Sequence, residues 1–413
     1  MLGPTRSGKT SCVIVPNVLA APGAVVSTST KPDVMLSTAS ARAASGWTLL
    51  YDPTGEIDPI QGVARVGWSP VNACVEWDGA LATANAMMRS AQQGRTADHW
   101  TERATALLAP LMHAASLTHE PMSTVLSWVD RHLGEDALDR LGEGCGESHP
   151  AVDVLSGILS TDPREQSGIW STASGALAAY RFTSTIASTR PPFLDVAAFV
   201  AGANTLYICA PSRMQELYAP LVVGLLTEIR DATYRRARQE HREAPVLLAL
   251  DEVANIAPLP DLPSIVTEGA GQGLLTLACL QDLSQARARW GRDAEGFLSI
   301  FGCTLVFGGI ADMQTLEALS QLAGEAEVPT RTVGTSRGWD GRRQPSLSVS
   351  TTFRRRLPVD VVGRGLPGRA LSLDAANRLG WVTLTPSYSS PPWDRLIGPT
   401  LDRATRGAAA RER

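Results

Sequence analysis

Lysine is almost absent from this sequence, and the features that mark a membrane span or a secretory leader are absent too. Only Lys9 and Lys31 among the 37 basic residues are lysines, and the net charge is −4. Bulk charge therefore gives no support for nucleic-acid binding, which has to be argued locally. The longest apolar runs fall far short of the ~18 residues that cross a bilayer, and no positive-then-apolar leader opens the chain. These absences predict a soluble chain.

Cysteine and histidine are few and scattered, with six of each. No CxxC pair or HExxH motif occurs, so we expect buried cysteines in a reducing compartment, without disulfides or a zinc site. The sequence predicts no metal other than Mg²⁺. A chain of 413 residues with 44% hydrophobic and 19% charged residues fits two domains, or one large α/β domain with an insertion.

The strongest motif lies at the start of the chain and fits GxxxxGK[ST], the phosphate-binding loop. It consists of Gly3, Pro4, Thr5, Arg6, Ser7, Gly8, Lys9 and Thr10. Such a loop turns backbone N–H groups toward nucleotide phosphates, with Lys9 placed to bind the β- and γ-phosphates and Thr10 to coordinate Mg²⁺. We therefore predict ATP and Mg²⁺ as ligands. The alternative is a glycine-rich surface turn before an ordinary helix.

The residues before this loop are unusual. A phosphate loop normally follows a buried parallel strand, but only Met1 and Leu2 precede Gly3. We expect the chain to be a fragment, truncated at its N-terminus, whose upstream segment supplies the supporting strand. ATP binding should then be stronger in a chain that is extended upstream.

Strands and helices alternate on both sides of a long helical segment, which predicts an α/β protein with a mostly parallel sheet. Strands are expected at 24–27, 47–51, 205–209, 246–250, 274–280 and 304–307, with the last of these closing the sheet. Helices are expected at 9–19, 31–44, 214–240, 283–290 and 312–323, the first kinked or ended early by Pro16.

Residues 78–195 are predicted to form an inserted all-α domain, because helical patterns at 80–92, 101–117, 122–133 and 166–182 follow one another without a convincing strand. The expected division of the chain is residues 1–77 and 196–390 for the two parts of the nucleotide-binding domain. Residues 391–413 are expected to be a disordered tail.

A second nucleotide signature ends the apolar strand at 246–250. Asp251 is expected to hold Mg²⁺ through its water shell, and Glu252 to orient or deprotonate an attacking water. Gln281, at the end of the next strand, is expected to contact the γ-phosphate or that water. The alternatives are an acidic helix cap at Asp251 and Glu252 and an ordinary polar helix start at Gln281.

Residues 331–356 form the most basic stretch, with seven arginines and a single acid, Asp340. This stretch is predicted either to contact DNA phosphates or to form a solvated hairpin beside the sheet.

Taken together, these segments resemble the type IV coupling proteins, the TraG/TraD-like motor ATPases of conjugation and type IV secretion. Residues 250–260 resemble the acidic motif of the family, and 271–273 and 280–285 resemble its glycine-rich and glutamine motifs. Residues 27–33 and 210–213 resemble two further family segments.

The resemblance implies a RecA-like P-loop motor with an inserted all-α domain, assembled as a hexamer. Such a motor would hydrolyse ATP and pass single-stranded DNA with a bound relaxase to a type IV secretion channel. It would be anchored by upstream transmembrane helices at the cytoplasmic face of the bacterial inner membrane.

One position departs from the family pattern. Many relatives have an arginine, proposed to reach the neighbouring subunit's γ-phosphate, where this chain has Ala270. Arg213, Arg287, Arg289 and Arg292 are the candidate substitutes. A slow or non-hydrolysing docking platform is therefore one rival function, and an FtsK/HerA-like chromosome translocase is another. The helical insertion favours the coupling protein over the translocase.

Overall fold

The computed structural model shows a layered α/β architecture. It describes residues 1–91, 99–210, 214–239, 244–337, 339, 341, 343–376 and 378–397. The strands among these residues are β1 Val25–Ser29, β2 Thr48–Tyr51, β3 Ala64–Arg65, β4 Thr205–Cys209, β5 Val246–Leu250, β6 Leu274–Ala278, β7 Cys303–Phe307, β8 Glu325–Arg337, β9 Arg343–Arg355, β10 Arg369–Asp374 and β11 Leu379–Thr383.

The helices fall into three groups along the chain. Those before β3 are α1 Val15–Ala20 and α2 Asp33–Arg42. Those between β3 and β4 are α3 Trp77–Ala91, α4 His99–Leu117, α5 Met122–Arg131, α6 Gly134–Cys145, α7 Pro150–Leu159, α8 Pro163–Ala176, α9 Thr183–Ala187 and α10 Val196–Ala201. Those after β4 are α11 Gln215–Gln239, α12 Val253–Ile256, α13 Leu262–Glu268, α14 Leu283–Trp290, α15 Phe297–Ile300, α16 Met313–Leu322, α17 Val359–Arg364 and α18 Trp393–Leu396.

The central sheet has the order β3-β2-β4-β1-β5-β6, and every pair in it is parallel. Five of the six predicted strands, β1, β2, β4, β5 and β6, lie in this sheet, so the prediction of an α/β fold with a mostly parallel sheet is confirmed. The sixth predicted strand is β7, which lies in another sheet, and the short strand β3 was not predicted. Parallel strands are buried on both faces and therefore read as continuous apolar runs, which made them visible in the sequence.

The prediction that residues 304–307 form the last sheet strand was wrong. Strand β10 pairs antiparallel with β7, and β11 pairs antiparallel with β10. These two strands are partly exposed, so their residues do not form the unbroken apolar run that marks a buried parallel strand.

Side chains from the two faces of the central sheet enter different hydrophobic clusters, because successive residues of a strand point to opposite faces. Val26 and Leu248 pack with α11 residues such as Leu226 in one cluster. Val25 and Leu247 pack with residues of α1 and α2 in another. Helices therefore cover both faces of the sheet.

The helices α3 to α9, which we call the helical region, have a core of their own. It contains Leu107, Trp128 and Trp170 and extends to Leu221 in α11. No named strand lies between residues 78 and 195 in the described part of the chain. The domain boundaries stay a prediction. Every described helix is too short or too polar to cross a membrane.

The helix after the phosphate-loop motif differs from the prediction. It does not end at Pro16 but continues to Ala20. The irregular part precedes Pro16 and is a π-helical turn over Thr10–Ile14. Pro16 lies in the first turn of α1, where the missing N–H of a proline is tolerated.

Met1 and Leu2 lie where a strand before the phosphate loop would run. Leu2 forms parallel bridges to Leu280 and to Val306 of β7. Its N–H donates to Leu305 O at 2.8 Å, and the Gly3 N–H donates to Leu280 O at 3.1 Å. The start of the loop is therefore held between two segments of sheet.

The arginine-rich stretch lies in a long antiparallel hairpin, formed by β8 and β9 in a two-stranded sheet of their own. Val333, Leu347 and Phe353 are 73%, 64% and 66% exposed. Arg342 and residues 398–413 of the predicted tail lie outside the described residues, while α18 occupies part of 391–397.

Candidate functional site

A cavity of about 600 Å³ opens at the carboxyl edge of the parallel sheet. Most of the predicted site residues line it, namely Thr5, Arg6, Ser7, Gly8, Lys9, Thr10, Asp251, Glu252 and Gln281. Gly3 and Pro4 do not line it but form the base of the loop. The structure thus brings the two ends of the predicted site together although about 240 residues separate them in sequence, because the carboxyl ends of parallel strands share one edge.

The loop conformation depends on its two glycines. Gly8 has φ of +94°, a region that other residues rarely adopt. A Cβ on Gly3 would lie 2.7 Å from Phe307 Cβ, so the loop needs a glycine to pass β7. The loop also contains Arg6 at φ of 62°. Backbone strain of this kind concentrates at functional sites.

The Lys9 ammonium folds back over its own loop. It donates to Gly3 O at 2.5 Å and to Pro4 O at 2.7 Å. Burial lowers the pKa of Lys9, partly offset by Asp251 and Glu252 among other neighbours. Nearby, Ser7 Oγ is buried and has no hydrogen-bond partner. The loop therefore holds one desolvated cation and one unsatisfied hydroxyl, which suits an anionic ligand.

Asp251 lies directly across from the loop, at the end of β5. Thr10 Oγ1 donates to Asp251 Oδ2 at 3.2 Å, and Thr28 Oγ1 donates to the backbone oxygen of Asp251 at 3.3 Å. Burial raises the pKa of Asp251, with Lys9 acting in the opposite direction. Thr10 and Asp251 offer oxygen ligands of the kind that Mg²⁺ prefers.

Glu252 follows in the left-handed region, with φ of 51°, at the start of α12. A non-glycine residue held there costs roughly 1–3 kcal/mol and persists only where its surroundings enforce it. The turn directs the chain away from β5 while both carboxylates remain on the cavity wall.

Gln281 lies on the same wall after β6. Its N–H donates to Gln285 Oε1 at 2.9 Å, so a second glutamine on α14 fixes this turn. Gln285 also lines the cavity, and sequence reasoning did not assign it a role.

Other lining residues were also missed as site residues, among them Ser29, Lys31, Asp33 and Tyr388. Ser29 ends β1, and Lys31 and Asp33 follow it inside the segment that resembles the family. Lys31 is one of only two lysines. Burial raises the pKa of Asp33. Tyr388 is 51% exposed and comes from the C-terminal part of the chain, where no motif pointed to it.

The candidate arginines lie elsewhere, and none of the described ones lines this cavity. Arg287 donates to Asp312 Oδ2 at 2.6 Å, and Arg289 lies 3.8 Å from Glu216 with its side chain 10% exposed. Arg292 is exposed, and so is Ala270. Arg213 lies outside the described residues.

Fold and cavity define an α/β protein with a phosphate-loop sequence at the carboxyl edge of its sheet. A family model described as "Type IV secretory system Conjugative DNA transfer" matches residues 1–356. The chain belongs to this family, as the sequence motifs predicted.

Curated relatives and solved structures are also similar to this chain. Two conjugal transfer proteins TraG of Escherichia coli are each 25% identical over 386 residues, which covers 85% of this chain and 58% of TraG. The chain thus spans less than two thirds of the length of these relatives. The bacterial conjugative coupling protein TrwBdeltaN70 has a similar structure, with a TM-score of 0.69, 18% identity, and coverage of 93% of this chain and 83% of its own.

TrwB has also been solved in complex with ADP and Mg²⁺, and that structure gives a TM-score of 0.68 at 19% identity, covering 93% of this chain and 83% of TrwB. At this identity the likeness shows the fold alone. The RecA-like α/β fold with a helical domain is thereby confirmed.

Proposed function

We propose that this chain binds ATP with Mg²⁺ in the cavity and hydrolyses it, acting as the motor of a conjugative coupling protein. The observation that carries this proposal is the convergence of Lys9, Thr10, Asp251, Glu252 and Gln281 on one cavity. A glycine-rich surface turn would not require the strand-end carboxylates and the glutamine to face it.

The phosphate loop suits a triphosphate. Lys9 would exchange its bonds to Gly3 O and Pro4 O for bonds to phosphate oxygens, and Ser7 Oγ would gain a partner. Thr10 and Asp251 would hold the Mg²⁺, directly and through water. The ion would neutralise charge on the β- and γ-phosphates.

Glu252 and Gln281 are placed for the hydrolytic step. We assign to Glu252 the role of accepting a proton from the water that attacks the γ-phosphorus, while the bond to the β–γ bridging oxygen breaks. Gln281 would orient that water. Because the Gln281 N–H is hydrogen-bonded to Gln285 of α14, a change in the side-chain contacts of Gln281 would be transmitted to α14.

Tyr388 would contact the base. It is an exposed aromatic side chain on the cavity wall, and aromatic rings stack on nucleotide bases. We propose that Tyr388 packs against the adenine.

The wider role follows from the family. We propose that the chain moves single-stranded DNA, with a bound relaxase, toward a type IV secretion channel as a homo-hexamer held at the cytoplasmic face of the inner membrane by an upstream segment. Residues 78–195 would form a separate all-α domain in this assembly, between the nucleotide-binding parts at 1–77 and 196–390. The hairpin β8–β9 would contact DNA phosphates through exposed arginines such as Arg331 and Arg354.

The test is ATP hydrolysis with and without single-stranded DNA. We expect stimulation by DNA in the wild type, and a loss of turnover of about 100-fold or more in Glu252→Gln with ATP binding retained, since general-base catalysis contributes ~10²–10⁴-fold. The exposed Glu317→Gln, on α16, is the matched control and should behave as wild type.

A non-hydrolysing docking platform is favoured by one observation, the alanine at position 270. It would show ATP binding without turnover in the wild type, and Glu252→Gln would change nothing.

Arginine substitutions test which residue, if any, takes the place of the arginine missing at position 270. We expect turnover to fall in one of Arg213→Ala, Arg287→Ala, Arg289→Ala or Arg292→Ala. If all four variants hydrolyse ATP as the wild type does, none of these arginines reaches the γ-phosphate of a neighbouring subunit.

A further inference from the structure

Three side chains of the helical region that lie apart in sequence meet at the junction of three helices. They are His113 in α4, Cys145 at the end of α6, and His149 just before α7. One potential ligand atom from each lies within 4.8 Å of the other two. The scattered cysteines and histidines gave no sign of this cluster, because its members come from different helices.

His113 has the hydrogen-bonding arrangement of a metal ligand. It is 3% exposed, and its Nδ1 lies 2.8 Å from Cys74 O. A carbonyl only accepts, so Nδ1 carries the proton and Nε2 is left with a free lone pair. Nε2 is buried and has no hydrogen-bond partner. Metal-bound histidines typically donate their other N–H to a carbonyl or carboxylate in this way.

The second ring is already held beside the first. His149 stacks on His113 with ring centroids 5.4 Å apart and 27° between the planes, and Trp77 packs against both. His149 Nδ1 accepts from the Ala151 N–H at 3.2 Å, which holds the ring at the start of α7. Because an accepting Nδ1 leaves the proton on Nε2, His149 would bind a metal through Nδ1 and exchange this long hydrogen bond for the ion. A packed histidine pair without a ligand would leave the buried Nε2 of His113 unsatisfied, which is costly.

The donor set selects the kind of ion. Two imidazoles and one thiolate suit Zn²⁺ and similar transition metals, whereas Mg²⁺ and Ca²⁺ prefer oxygen ligands. We propose that His113, Cys145 and His149 form a binding site for a Zn²⁺-class ion that ties α4, α6 and α7 together. Cys145 and His149 are partly exposed, so the site is accessible to an ion and leaves a fourth position for water.

The experiment is a Co²⁺ titration of the metal-stripped full chain without nucleotide, followed by displacement with Zn²⁺. We expect one equivalent of Co²⁺ with thiolate-to-cobalt charge-transfer absorption, and full displacement by Zn²⁺. Cys145→Ser should remove the charge-transfer band and weaken binding about 100-fold or more, because even second-shell changes cost ~10–100-fold. His113→Gln should weaken binding similarly.

Cys303→Ser and His119→Asn are the matched controls, since both residues are exposed and outside the cluster. The asparagine tolerates the positive φ of His119, which is 56°. Both controls should bind as wild type.

A second measurement needs no variant: Zn²⁺ should slow alkylation of Cys145 in the wild type, mapped by peptide mass, while Cys303 reacts at an unchanged rate. The proposal is overturned if the wild type takes up no metal in this way, if Cys145→Ser binds as tightly as the wild type, or if alkylation of Cys145 ignores Zn²⁺.

Discussion

The cavity and the hairpin β8–β9 both present positive charge, but in opposite settings. In the cavity the ammonium of Lys9 is desolvated and bonded to loop carbonyls. On the hairpin several arginines, including Arg331 and Arg354, stand exposed among hydroxyl side chains. A buried charge interacts strongly with few partners, whereas exposed charges act weakly, additively and with screening by salt. Substitutions in the two regions should therefore differ in size and in salt dependence.

The largest effect is expected for Lys9→Ala. Loss of the only ammonium within the phosphate loop should weaken ATP binding about 100-fold or more, because each hydrogen bond from a charged group contributes roughly 1.5–3 kcal/mol. Binding of a fluorescent ATP analogue measures this directly. Lys31→Ala, which removes an exposed lysine from the cavity rim, should cost far less, and equal losses in the two variants would contradict the distinction.

A smaller effect is expected at the exposed part of the cavity wall. Tyr388→Ala should weaken ATP binding roughly tenfold, since base stacking on an aromatic ring contributes ~1–3 kcal/mol. Tyr388→Phe keeps the ring and should bind nearly as wild type. Stacking is contradicted if Tyr388→Phe and Tyr388→Ala weaken ATP binding equally. It is also contradicted if Tyr388→Ala lowers the affinity for inorganic triphosphate as much as the affinity for ATP.

On the hairpin each arginine should by itself contribute little to the affinity for DNA. The double variant Arg331→Gln with Arg354→Gln should weaken single-stranded DNA binding several-fold at low salt, and the slope of log K against log salt should shrink by about 0.7 for each lost phosphate contact. Arg364→Gln, an exposed arginine on α17, is the control. An unchanged salt slope in the double variant would show that Arg331 and Arg354 do not contact DNA phosphates, and would favour a solvated hairpin.

The smallest change concerns stability and tests whether the cavity charges are desolvated. Burial raises the pKa of folded Asp251 above 3.8, so the folded state holds this proton more tightly than the unfolded state. The free energy of unfolding therefore decreases as the pH rises from about 3.8 to the raised pKa of folded Asp251, and it remains lower at neutral pH.

Asp251→Asn should therefore raise Tm at pH 7 by a few degrees at most, with a smaller difference in acid, although activity is lost. The exposed Asp360→Asn serves as the reference, with no change in Tm expected. A lower Tm for Asp251→Asn at pH 7 would contradict the desolvation argument.

The sequence alone was sufficient for five of the six strands of the central sheet, for β7, and for nine of the residues that line the cavity. Strands such as β5 are buried on both faces and appear as unbroken apolar runs, and the loop at Gly3 to Thr10 has fixed spacing. The fold and the family could be predicted from these patterns because each pattern lies within one short, continuous segment of the sequence.

Tertiary structure decided what depends on distant segments meeting. Tyr388 reaches the cavity and β10 extends the sheet beside β7 without any local signal, and Leu2 takes its place between Leu280 and Val306. His113 comes to Cys145 and His149 only through the packing of α4, α6 and α7. Such contacts are set by how helices and sheet edges pack, and no periodicity within one segment encodes which side chain a neighbouring segment presents.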